Sequence, residues 1–139
     1  MANRALTKSR YWSMACQLLF AASIVIALLN MMQVRAGFIT NYVADIAVPA
    51  YLYIGFRGLH NPTYKTPLIK YLGWRPEITA LVILGGSIAT EISQRYWPRG
   101  LFAGRYDPYD IVAYGVGVGI CYVFDKRFSM KTGLKNAAQ

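Results

Sequence analysis

The chain has 139 residues, enough for one domain, and 55% of them are hydrophobic, with a mean hydropathy of +0.29. That balance lies well above an ordinary soluble domain and argues for an integral membrane protein. The net charge of +9 would suit nucleic acid, but the cations flank apolar stretches, where they set topology and attract anionic headgroups, so no nucleic-acid partner is expected.

The chain opens on a basic segment, MANRALTKSR, followed by an apolar stretch over 13–32. This resembles a signal peptide, yet the apolar run is too long for an h-region and no small-residue cleavage pattern precedes Gly37, so a retained helix is expected. Cys16 does not read as a lipoprotein cysteine, because no apolar run precedes it. Cys16 and Cys121 both fall toward the ends expected to face a reducing compartment, which argues against a disulfide; without clustered His they make no zinc pattern.

The second stretch, 38–56, places Asn41 and Asp45 four apart on one face, with Pro49 one turn further along, where it would kink the helix and free a carbonyl. A linker rich in Pro and Gly follows, containing His60, read as a surface histidine, and a PLIKYLGW core that suits a short amphipathic element lying on the membrane. Pro76 and Glu77 read as a helix start, since Pro suits the first turn and an acid there suits the dipole. The third stretch, 77–93, ends with Ser87, Glu91 and Gln94 on one face; the fourth, 109–124, opens on Asp107 and Asp110, with Asp110 a candidate cap. Tyr11 and Trp12, Tyr71 and Trp74, Tyr96 and Trp97, and Tyr106 and Tyr109 sit beside helix ends, as interfacial aromatics do. Gly115 and Gly119 have small-xxx-small spacing, and with Gly85, Gly86 and Ala89 they would bring the third and fourth helices together.

Each stretch comes close to the roughly 20 residues that cross a bilayer core. Arg4, Lys8 and Arg10, then Arg57, Lys65, Lys70 and Arg75, then Lys126, Arg127, Lys131 and Lys135 fall on one side, against Arg35, Arg95, Arg99 and Arg105 on the other. The positive-inside rule then puts both termini in the cytoplasm. The expected fold is an all-α polytopic membrane protein, a four-transmembrane-helix bundle. Residues 1–12 form a cytoplasmic basic N-terminus, 13–125 a single transmembrane domain, and 126–139 a cytoplasmic basic tail.

In that topology Asp45, Glu91, Asp107 and Asp110 converge at the outer end, with Arg95, Arg99 and Arg105. An ionisable group in a span costs roughly 2.5–3.5 kcal/mol on insertion scales, so it calls for a partner, a wet cavity or a function. The structural reading pairs Glu91 with Arg105, or Asp110 with Arg99, as staples. The functional reading makes Glu91 and Asp110 the candidate catalytic groups, an acid beside a base, and Asp45, Gln94, Arg105 and Asp107 the ligand-binding residues, with Arg105 clamping a phosphate or carboxylate. Carboxylates could also bridge Mg²⁺ or Ca²⁺, but no spacing selects an ion, so no metal site and no cofactor is assigned.

At these residues the chain resembles the VanZ-like family of small bacterial membrane proteins. The resemblance covers about residues 38–125 and rests on Glu91-Ile92-Ser93-Gln94, then Arg105, Asp110, Gly115 and Gly119, with Asp45 a looser match. The family often has Asn four residues after the Asp; here that position is Tyr114, which puts in doubt any role for a small amide there. The resemblance implies a compact helical bundle in a bacterial inner membrane, multi-pass, in a family with one member associated with teicoplanin resistance and no settled reaction. The expected function is an extracytoplasmic polar pocket that binds or processes an anionic lipid or cell-envelope precursor, with membrane lipids as partners. The alternative is a small accessory subunit of a larger membrane complex; a small transporter fits less well, because no inverted repeat is present.

Overall fold

The computed structural model describes residues 2–34, 37–59, 75–97 and 106–136. Within them the chain forms four helices, α1 (Ala2–Met31), α2 (Phe38–Phe56), α3 (Pro76–Tyr96) and α4 (Pro108–Asn136), and no strand. The helices are longer than the apolar stretches at both chain ends: α1 begins within the basic opening segment and α4 runs on through the cations that follow Phe124. His60, the PLIKYLGW segment, Tyr71 and Trp74 lie outside the described residues.

Local chemistry sets the boundaries. Gln33, at φ 57°, closes α1, and the Val34 N–H reaches back to the Leu29 carbonyl at 2.9 Å. At the end of α2, Gly58 takes a left-handed conformation (φ 62°); its N–H bonds to Gly55 O and that of Leu59 to Ile54 O, which leaves Arg57 as the cap residue. Pro76 occupies the first turn of α3 with Glu77 beside it. At α4 the cap is Asp107, one turn before the expected Asp110: its Oδ1 accepts the Tyr109 N–H at 2.9 Å, and its carbonyl accepts that of Asp110 at 3.1 Å. Pro108 follows as the first helical residue and pre-sets the turn.

α2 and α4 run parallel, because Tyr42 meets Asp107 near their starts and Arg57, at the end of α2, meets Asp125 well along α4. α3 is antiparallel to α4, with Glu91 beside Tyr114 and Glu77 beside Lys126. α1 packs on α2 alone among the described helices, with Phe20 against Tyr51. The core joins Trp12, Ala50, Tyr53, Ile54, Ile83, Val118 and Cys121. Trp12 is therefore a core residue, whereas Tyr11, Tyr96, Trp97 and Tyr109 are exposed near helix ends. Both cysteines are free.

The close helix approach is also placed differently from the expectation. A Cβ on Gly85, Gly86, Gly115 or Gly119 would meet nothing, but one on Gly117 would collide with the Ile46 carbonyl oxygen. The tight contact therefore joins α2 to α4. The stripe that makes it is Ala113, Gly117 and Cys121, spaced by four and all buried.

Candidate functional site

The parallel and antiparallel pairings gather four of the six acidic residues, Asp45, Glu91, Asp107 and Asp110, at one end, whereas Glu77 and Asp125 lie among cations at the other. One end of the packet, the acidic end, holds the starts of α2 and α4 and the finish of α3. The other, the basic end, holds Arg10, Arg57, Arg75, Lys126 and Arg127.

At the acidic end Glu91 is only 1% exposed. Its helix turns it toward α4, where the Tyr114 hydroxyl donates to Oε1 at 2.7 Å and the Asp107 N–H donates to Oε2 at 3.3 Å. Both carboxylate oxygens thus have donors, which is what a buried carboxylate requires. Asp107 in turn accepts a longer bond, 3.4 Å, from the Tyr42 hydroxyl, and Tyr42 lies edge-on to Tyr109. Asp45 lies within electrostatic reach of Glu91 and Asp107, with the Tyr114 hydroxyl close by; Asp110 lies within reach of Asp45, Glu91 and Asp107. Pro49 has no N–H for the Asp45 carbonyl, so Asp45 also presents a backbone oxygen without its usual helical donor.

The structure therefore brings together four of the six residues proposed for the site: Asp45, Glu91, Asp107 and Asp110. Gln94 is half-buried one turn beyond Glu91, and no described hydrogen bond ties it to the others. Arg105, and Arg99 of the alternative staple, lie outside the described residues; Arg95 is exposed and stacks over the Tyr106 ring at 5.3 Å. Among the described residues no group of three His, Cys, Asp or Glu is arranged to hold a metal ion.

Tyr114 is the residue that the sequence reading undervalued. It stands where the VanZ-like pattern often has an amide, yet a phenol is also a donor, and this one spans from α4 to α3 to reach Glu91. Tyr114→Phe should remove that donor and cost roughly 1.5 kcal/mol or more, as for a hydrogen bond to a charged group. Thermal unfolding of the detergent-purified variant against the parent chain measures it; an unchanged midpoint would show that Glu91 finds another donor.

The basic end carries a second polar constellation that sequence reasoning did not identify. Asp125, 0% exposed, accepts from Arg57 Nε at 2.6 Å and from the Tyr53 hydroxyl at 3.1 Å. The exposed Glu77 carboxylate meets Lys126 at 3.0 Å and the Tyr122 hydroxyl at 3.3 Å, linking α3 to α4. Such a solvent-facing pair adds little stability.

Compared with known protein families, curated proteins and solved structures, the chain matches none.

Proposed function

We propose that the chain is a four-span, VanZ-like membrane protein of the bacterial inner membrane, with its acidic end extracytoplasmic. One helix, through its stretch Arg10–Leu29, is by itself long and apolar enough to cross a membrane. For the other three, support comes from the distribution of side chains. The buried positions include Thr40, Thr79, Glu91 and Asp125, while Leu52, Leu81, Val112, Val116 and Val123 are exposed. Polar groups that face partners inside, with branched aliphatics outside, suit a lipid surround and depress the mean hydropathy of each helix.

At the acidic end, the proposed ligand is an anionic lipid or envelope precursor delivered through the membrane. Asp45, Asp107 and Asp110 would accept hydrogen bonds from hydroxyl or amide groups of its head, and Arg105 would meet its phosphate or carboxylate. The observation that carries this reading is the buried Glu91, held on both oxygens by Tyr114 and Asp107 among three further carboxylates. A chain stapled for stability alone would be better served by apolar packing there. Native mass spectrometry of protein purified gently from its own membrane should detect a retained anionic lipid. Glu91→Gln, which keeps the shape of the side chain, should lose it while leaving expression intact. Undiminished retention in this variant would remove the site from consideration.

The accessory-subunit reading draws on one observation: among the described helices α1 packs on α2 alone, leaving Leu18, Ile24, Val25 and Leu28 exposed along its length. A stoichiometric set of other subunits in the same spectra would favour it and make the acidic end an assembly feature.

A further inference from the structure

Three helices meet at the acidic end through one residue. Asp107 accepts the Tyr42 hydroxyl of α2 on Oδ2 at 3.4 Å, accepts the Tyr109 N–H on Oδ1 at 2.9 Å as the cap of α4, and donates its own N–H to Glu91 Oε2 of α3 at 3.3 Å. Each bond uses a different atom of Asp107, so all three can be made at once. In a capping box the N–H of the cap residue is accepted by an acidic or amide side chain at the third helical position of the same helix. That position here is Asp110, but the acceptor is Glu91 from a neighbouring helix. The Asp107 N–H belongs to no helical ladder, so its aim at Glu91 depends on how the Asp107 side chain is anchored at its two oxygens. One anchor is local to α4 and the other comes from α2.

Tyr42 supplies that second anchor and adds a ring contact, edge-on to Tyr109 with centroids 6.5 Å apart. It also lies three residues before Asp45 on α2, so the two share a face and the hold on Tyr42 bears on where Asp45 stands against Glu91. We propose that Tyr42, which is not among the residues read from the sequence, is a positioning residue of the acidic site: acting through Asp107, it sets the donor on Glu91 Oε2 and so the way Glu91 meets a ligand. The functional half of this proposal rests on the binding-site reading above; the geometric half does not.

The test is infrared difference spectroscopy of the detergent-purified chain, with the carboxyl bands of Glu91 assigned by subtracting the spectrum of Glu91→Gln. Tyr42→Phe keeps the ring against Tyr109 and removes the donor, so the Glu91 bands should shift. Tyr109→Phe loses a hydroxyl at the same corner but keeps the backbone N–H that caps α4, and should leave them in place. A role confined to stability would lower the unfolding midpoint of Tyr42→Phe with the Glu91 bands unmoved, and that result would overturn the proposal. Native mass spectrometry with added phosphatidylglycerol, as an anionic probe, is the second measurement. Its retention should fall roughly threefold to tenfold in Tyr42→Phe, the effect of one hydrogen bond, and hold in Tyr109→Phe. Shifted bands in a parent chain that retains no phosphatidylglycerol would keep the positioning of Glu91 and remove this lipid from the site. Equal retention by the parent chain and Tyr42→Phe would overturn the positioning role, whatever the bands do.

Discussion

Arg57→Ala is expected to destabilise the folded chain by about 3–5 kcal/mol, and Asp125→Asn by a similar amount, because each takes the opposite charge away from a buried ion pair. The Arg57 side chain is 13% exposed and that of Asp125 is 1% exposed, so the pair is largely withdrawn from solvent. Asp125 also accepts from the Tyr53 hydroxyl, which would be left unsatisfied in the core if the carboxylate were lost. Removing both charges together is a different case: Arg57→Met with Asp125→Leu takes away the attraction and the desolvation cost at once, so the double variant should lie within about 1–3 kcal/mol of the parent chain, the cost of the Tyr53 hydroxyl left without its acceptor. Thermal unfolding of the parent chain, Arg57→Met, Asp125→Leu and the double variant in one detergent gives the cycle. If the double variant is as unstable as the two single effects summed, the residues act independently and the ion pair is not what joins these helices.

The sequence was most informative where a local rule decides the outcome. The span 38–56 coincides with α2, and Pro76 with Glu77 starts α3, because caps and first-turn preferences depend only on neighbours. The gathering of Asp45, Glu91, Asp107 and Asp110 also followed from helix direction, since alternate crossings put the same ends together. Rotation about each helix axis was not legible. Gly115 and Gly119 form one small-residue stripe on α4, and Ala113, Gly117 and Cys121 form another, a half-turn away. The second stripe is the one that packs, and it continues by another step of four to Asp125. On α2, the partner stripe from Ile46 through Ala50 and Tyr53 reaches Arg57 at the same end. Opposite charges terminating the small-residue stripe of α4 and its partner stripe on α2 were thus the available signal. It was obscured because Asp125 precedes Lys126 and Arg127 and reads as part of a solvated, charged helix end.

The choice between those stripes can be made experimentally with one substitution at three positions. Gly117→Ala places a methyl group against the Ile46 carbonyl, a backbone atom that cannot rotate away, so α2 must shift; overpacking of this kind costs about 1–3 kcal/mol, and the branched Gly117→Val about 3 kcal/mol. Gly115→Ala and Gly119→Ala put the same methyl group into open space, and there the change of helix propensity favours Ala by roughly 0.5–1 kcal/mol. The same mutation on one helix should therefore lower the unfolding temperature at 117 and leave it unchanged or raise it at 115 and 119. Equal responses at all three positions would mean that α2 does not approach α4 along the 113–117–121 stripe. The effect should also reach both ends of the packet, because α2 carries Asp45 toward Glu91 and Arg57 toward Asp125. Gly117→Val should then weaken ligand retention at the acidic end, although it touches no residue there, while Gly115→Ala should not.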